Sequence, residues 1–106
     1  MPKYLFIASY SSEGAQGLLD GGGSARRTAI NEMAESVGGS VESFYFAFGS
    51  DDAFVLVDLP DDEAAASIGL TVGASGKASV RTVTLLTPEQ VDAAAKRSPT
   101  YRAPGD

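Results

Sequence analysis

Four side chains with ligand-binding chemistry fall in segments that are typical of β-strands: Tyr4, Tyr45, Asp58 and Arg81. If their strands are neighbours, Tyr4 and Tyr45 face one cleft, where rings stack on a ligand and hydroxyls bond to it. Asp58 lies on an apolar strand face and needs a cation, for which Arg81 is the candidate. We hypothesise a site for an aromatic or acyl ligand. The alternative is that the tyrosines are interface residues, a role that their amphipathic side chains suit.

A second candidate site follows the glycine run Gly21–Gly23. Ser24, Arg26 and Arg27 come directly after it, at the predicted start of a helix. Backbone N–H groups at a helix start, joined by two guanidinium groups, could hold a phosphate or a carboxylate. The alternative is a flexible loop whose helix is capped by Ser24. The spacing matches neither the P-loop pattern nor the dinucleotide-binding glycine pattern.

Six acidic residues lie within the short segment 51–63, which raises the question of a cation site. Asp51 and Asp52 fall in a predicted hairpin turn, whereas Asp61, Asp62 and Glu63 fall at a predicted helix start. A seven-residue strand of about 20 Å separates the two groups. The chain also has no cysteine and no histidine. We therefore predict no metal site and no resident cofactor, and nucleophilic thiols and imidazole bases are excluded.

The composition favours a cytoplasmic protein that acts on neither nucleic acid nor membranes. The net charge is −6, which disfavours polyanionic partners. No apolar run approaches the length that spans a bilayer, and the first ten residues do not resemble a secretion signal.

The pattern of apolar residues and caps predicts a single α+β domain over residues 1–97 and a tail over 98–106. Strands are predicted at 3–10, 40–48, 53–59 and 77–86, and helices at 24–37, from Asp61 to about Gly76, and from Thr87 to about Lys96. Residues 11–23 are predicted to form a loop with at most a short helical turn. The order is ferredoxin-like βαββαβ with a C-terminal helix, around a four-stranded antiparallel sheet.

Both faces of this sheet carry apolar side chains, although the two crossover helices can cover only one of them. Along 53–59, for example, Val55 and Val57 alternate with Phe54 and Leu56. An uncovered apolar sheet face would be a larger patch than monomers usually expose. We therefore predict a homo-oligomer, most simply a dimer that packs sheet against sheet.

Several short motifs resemble those of the GYD domain family. They are the turn Gly49–Asp52, the step Asp58–Asp61, the strand Val80–Leu85 and the pair Gly38–Gly39. Asp51 stands where the turn that names the family has tyrosine. The resemblance covers roughly residues 3–90. It implies a dimeric α/β-barrel assembly with a cavity between sheet and helices or between subunits, and it carries no assigned activity.

Three functions remain open at this point. The leading hypothesis is a homo-oligomeric small-ligand-binding or accessory protein. The first alternative is a cofactor-free enzyme of isomerase, cyclase or monooxygenase type, by analogy with other dimeric α/β-barrel proteins. The second is a structural assembly module whose helix 88–96 and tail clamp a neighbouring subunit.

Overall fold

The computed structural model describes all residues from Met1 to Asp106. Four strands and four helices follow one another along the chain. They are β1 (Lys3–Tyr10), α1 (Ser12–Gly21), α2 (Gly23–Ser36), β2 (Ser40–Phe46), β3 (Ala53–Asp58), α3 (Asp62–Ala74), β4 (Ala78–Leu85) and α4 (Pro88–Ala95).

The four strands form one antiparallel sheet in the order β2-β3-β1-β4. β1 and β3 are central, and the helical connections join β1 to β2 and β3 to β4. This is the ferredoxin-like arrangement that the sequence predicts, and the α+β fold with its four-stranded antiparallel sheet is confirmed. β2 ends at Phe46, two residues before the predicted end.

Helices α2 and α3 cover one face of the sheet, which we call the helix face. Its buried core combines residues of β1, β3 and α3, with partly buried side chains of α2 packed against them. The core residues are Tyr4, Phe6, Val55, Val57, Leu59, Ala65 and Ile68. Apolar residues at helical spacing on α2 and α3 thus meet alternate residues of the central strands, because side chains repeat every 3.6 residues on a helix and every second residue on a strand.

The other face of the sheet carries no helix, and we call it the open face. Its rows are fixed by the strand register: Tyr45, Phe54, Ile7 and Arg81 form one row, and Ser43, Leu56, Leu5 and Val83 form the next. Phe54 is 37% exposed and Val83 is 38% exposed, so the face presents apolar surface to solvent.

The predicted loop over 11–23 is wrong, because most of it forms α1. Ser11 caps this helix, and its side chain accepts a hydrogen bond from the Gly14 N–H at 3.2 Å. The Ser11 N–H also donates to the Lys77 carbonyl at 2.9 Å, which anchors α1 beside the start of β4. A β-carbon on Gly14 would overlap that same carbonyl oxygen. The glycine that lowers helix propensity is therefore the residue that permits the helix to dock.

The predicted N-cap role of Ser24 is also wrong. Helix α2 begins at Gly23, and its N-cap is Gly22, which supplies no side-chain hydrogen bond. Gly22 has φ +84° and serves at once as the C-cap of α1, so one residue in the left-handed region turns the chain between two helices. Ser24 lies in the first turn, where its carbonyl accepts a hydrogen bond from the Thr28 hydroxyl.

Helix α4 lies outside the packed body of the molecule. The capping box between Thr87 and Gln90 is present as predicted. Every residue of α4 is exposed, as is most of the chain that follows it. None of the four helices combines the length and the apolar character needed to cross a membrane.

Candidate functional site

The two tyrosines that were expected to share a cleft lie on opposite faces of the sheet. Tyr4 is on the helix face and only 1% exposed, whereas Tyr45 is on the open face and 71% exposed. The Tyr4 hydroxyl donates a hydrogen bond of 2.5 Å to Asp62 at the start of α3. That bond, together with burial, raises the pKa of Tyr4 to about 12. Tyr4 therefore links the sheet to α3 and faces no ligand cleft.

Asp58 has a cationic partner, but the partner is Lys3 and not Arg81. The Lys3 ammonium group donates to Asp58 at 2.8 Å and to Glu42 at 2.7 Å. These two hydrogen bonds, that to Asp58 first, raise the pKa of Lys3. The expected pair with Arg81 is wrong because β1 lies between β3 and β4 in the sheet.

Arg81 instead pairs with Asp51, the residue that stands in place of the family tyrosine. The guanidinium group donates to the Asp51 carboxylate at 3.1 Å, and the Ser9 hydroxyl donates to the same carboxylate at 3.3 Å. The neighbouring Asp52 accepts a hydrogen bond from the Tyr10 N–H at 2.8 Å. Both acids thus fasten the β2–β3 turn to the end of β1, and Asp51 also fastens it to β4.

The remaining acids of segment 51–63 serve the start of α3. Asp61 is its N-cap and accepts a hydrogen bond from the Ala64 N–H at 2.9 Å. The two acidic groups are therefore separated by β3. No three carboxylates of the chain lie close enough together to hold a metal ion.

A candidate site is a cleft of about 510 Å³ that separates α1 and α2 from the C-terminal end of α3. Its floor is made by the end of β1 and the start of β4. Small residues line one wall, apolar residues line the depth, and three charged residues border it. The small residues are Gly14, Gly17, Gly21, Gly22, Ala25 and Ala29; the apolar ones include Leu18, Ile30, Met33 and Val72; the charged ones are Glu13, Arg26 and Lys77.

A smaller cavity of about 30 Å³ adjoins the cleft beneath α2 and α3. Of its fourteen lining residues thirteen are hydrophobic, and the remaining one is Arg26. Ile30, Met33 and Val72 line both spaces, so the cleft leads into the apolar core. The flexible side chain of Met33 can adjust to a group that enters from the cleft.

Arg26 lies at the junction of the cleft and the inner cavity. Its guanidinium carbon is 5.7 Å from the centre of the Tyr10 ring, within the range of a cation–π contact. Its Nε atom is buried and has no hydrogen-bond partner. The three residues of the predicted anion site therefore do not lie together. Arg26 lines the cleft and the inner cavity, whereas Ser24 and Arg27 are exposed on α2 and line neither of them.

Sequence reasoning did not associate the cleft wall with a site, although one signal was available. Gly14, Gly17 and Gly21 are spaced at i, i+3 and i+7, which places them on one face of a helix. A helix that presents glycine along one face leaves space beside it. The contributions of Tyr10, Lys77 and α3 depend on packing between distant segments and have no local signal.

The fold and the cleft define a ferredoxin-like α+β protein with an apolar interhelical site. A family model for the GYD domain matches residues 4–95 of the chain. The chain therefore belongs to the GYD domain family. No curated protein and no solved structure matches it in the corresponding comparisons.

Proposed function

We propose that this protein is a homodimeric small-ligand-binding or accessory protein that holds an apolar molecule in the interhelical cleft. The observation that carries the proposal is the cleft itself. Its volume of about 510 Å³ falls within the range of sites for small organic molecules. The apolar depth formed by Ile30, Met33 and Val72 suits the hydrocarbon part of such a ligand.

The character of the cleft favours binding over the enzymatic alternative. Glu13 is the only carboxylate that lines it, and its side chain is exposed to water. A general acid or base usually has its pKa tuned by burial or by a close charge. Glu13, by contrast, is exposed and has no ion-pair partner.

Filling the cleft tests this function. Ala29→Trp places an indole on the α2 wall, and Ala66→Trp is the control, since Ala66 is exposed on α3 and does not line the cleft. We expect the neutral dye Nile red to bind the wild type and the control with increased fluorescence, and to bind Ala29→Trp far more weakly. Equal dye binding by all three proteins would contradict the proposal.

The dimer in this proposal is supported by the open face. Phe54, Leu5 and Leu56 form its apolar centre, where Leu5 and Leu56 are half-buried. Ion pairs of Lys3 with Asp58 and of Arg81 with Asp51 lie towards its two ends. An apolar centre with a charged rim is the usual composition of a protein interface.

Because the chain has no cysteine, it needs no oxidising compartment, which agrees with a cytoplasmic location.

One substitution on each side of the molecule tests the dimer. Leu56→Glu places a charge at the centre of the open face, whereas Leu70→Glu changes a leucine of α3 that is 74% exposed. We expect sedimentation equilibrium to give a dimer for the wild type and for Leu70→Glu, and a monomer for Leu56→Glu. A monomeric wild type would refute this part of the proposal.

A further inference from the structure

We infer that the ligand of the cleft is an amphipathic monocarboxylate, whose anionic head group pairs with Arg26 while its apolar chain lies along the cleft. This inference rests on the proposed function and adds the chemical class of the ligand. It is carried by the charges that border the cleft, by the surroundings of Arg26 and by the apolar cavity next to it.

The charges at the cleft differ in balance from those of the whole chain. The whole chain has fourteen acidic and eight basic residues, yet the cleft is bordered by two bases, Arg26 and Lys77, and one acid, Glu13. Neither base has a carboxylate within salt-bridge distance, whereas Lys3 and Arg81 on the open face are both paired. Two of the six bases that have no salt-bridge partner thus lie at one cavity.

The Arg26 guanidinium group lies beside the Tyr10 ring, and its buried Nε atom retains a hydrogen-bond donor without an acceptor. Unsatisfied buried donors are rare in proteins, because each one loses its hydrogen bonds to water. A carboxylate is the natural acceptor, since its two oxygens match two parallel N–H groups of arginine.

The charges and the lining of the site also restrict the kind of ligand that fits it. The two bases and one acid leave one net positive charge, which balances a monoanion; Glu13 would repel a dianion. Beside Arg26 the inner cavity is almost wholly apolar, so an ionic ligand without a hydrocarbon part would gain little from it. The small residues Gly17 and Ala29 leave space along the walls of the cleft for the hydrocarbon chain.

Three probes that share one hydrocarbon chain test the inference by isothermal titration calorimetry: octanoate, octan-1-ol and octyl phosphate. We expect the wild type to bind octanoate about ten- to a hundredfold more tightly than octan-1-ol, the range given by one charge-assisted pair. Arg26→Gln should remove this preference, so that octanoate and octan-1-ol bind to the variant with similar affinity. Arg27→Gln is the matched control, because Arg27 is the next residue of α2 and is exposed.

The possible outcomes separate this inference from the proposed function. Equal affinity for octanoate and octan-1-ol would overturn the carboxylate assignment and leave a neutral apolar site intact. Tighter binding of octyl phosphate than of octanoate would also overturn it, in favour of a dianion. No binding of any probe would overturn both proposals. If Arg26→Gln does not fold, the preference of the wild type still decides the question.

Discussion

Helix α1 is expected to tolerate alanine at one glycine and not at another three residues away. At Gly17 an added β-carbon would meet no atom within 4 Å. At Gly14 it would overlap the Lys77 carbonyl oxygen, which already accepts the Ser11 N–H. Because that oxygen belongs to the backbone at the start of β4, it cannot rotate away, and α1 must shift instead.

The two substitutions should therefore have opposite effects on the free energy of unfolding. Gly17→Ala should raise the free energy of unfolding by about 0.8–1 kcal/mol, the helix propensity difference between alanine and glycine. Gly14→Ala should lower it by about 1–3 kcal/mol, the usual cost of an overpacked contact. For a domain of this size a change of 1 kcal/mol shifts Tm by roughly 4–8 °C. The two variants should thus differ by roughly 7–30 °C.

Thermal unfolding followed by circular dichroism measures this difference directly. Both variants make the same chemical change in the same helix, so helix propensity alone predicts that both are stabilised. If Gly14→Ala were as stable as Gly17→Ala, α1 would not be docked against β4 as described. The wall of the cleft would then be in error as well, because Gly14 and Lys77 both line it.

Two further predictions concern alkaline pH and the C-terminal helix. The pKa of Tyr4 is raised from 10.0 to about 12 and that of Lys3 is raised from 10.5, so the folded state holds both protons more tightly than the unfolded state. This stabilisation is complete below pH 10 and is lost as the pH rises towards 12. The Tm of the wild type should therefore fall over that range, and the Tm of Tyr4→Phe should fall less steeply. Thr87→Ala removes the cap of α4, which is worth about 1 kcal/mol of helix stability. Because α4 is exposed throughout, its amide protons should exchange faster while the Tm of the domain stays the same.

Much of the fold was predictable because its signals are local. Three of these signals each lie within a few residues of sequence: the apolar residues at helical spacing in α2, the Asp61 cap of α3 and the capping box at Thr87. Four strands and two crossover helices then leave few arrangements, of which the ferredoxin-like one is the simplest. The sheet order follows from the same constraint.

Helix α1 was missed because its stability is not local. Gly14 and Gly17 lower its propensity, so the segment resembles a loop, but Gly14 allows the close contact with the Lys77 backbone that holds the helix in place. Packing thus outweighs propensity at this position. The cleft was missed for the same reason, since one of its walls is α1.

The predicted partners of charged residues failed where they depended on strand order. Asp58 and Arg81 lie on β3 and β4, with β1 between them. Asp58 pairs with its register partner Lys3, and Arg81 pairs with Asp51 of the β2–β3 turn. The sequence pattern also indicated Arg26, but as part of an anion site at a helix start together with Ser24. Its surroundings are the Tyr10 ring and the apolar cavity, which come from other elements.

The two proposed sites lie on opposite faces of one sheet, and this separation has a consequence that can be measured. Leu56 faces the proposed partner, whereas Val57, the next residue of β3, is 1% exposed and lines the inner cavity. Because neighbouring strand residues point to opposite faces, a charge at Leu56 alters the interface without entering the cavity. Leu56→Glu should therefore dissociate the dimer while its octanoate affinity, by the same calorimetric titration, stays that of the wild type. Loss of affinity together with loss of the dimer would mean that the partner subunit completes the ligand site, and the cleft of one chain would no longer account for binding.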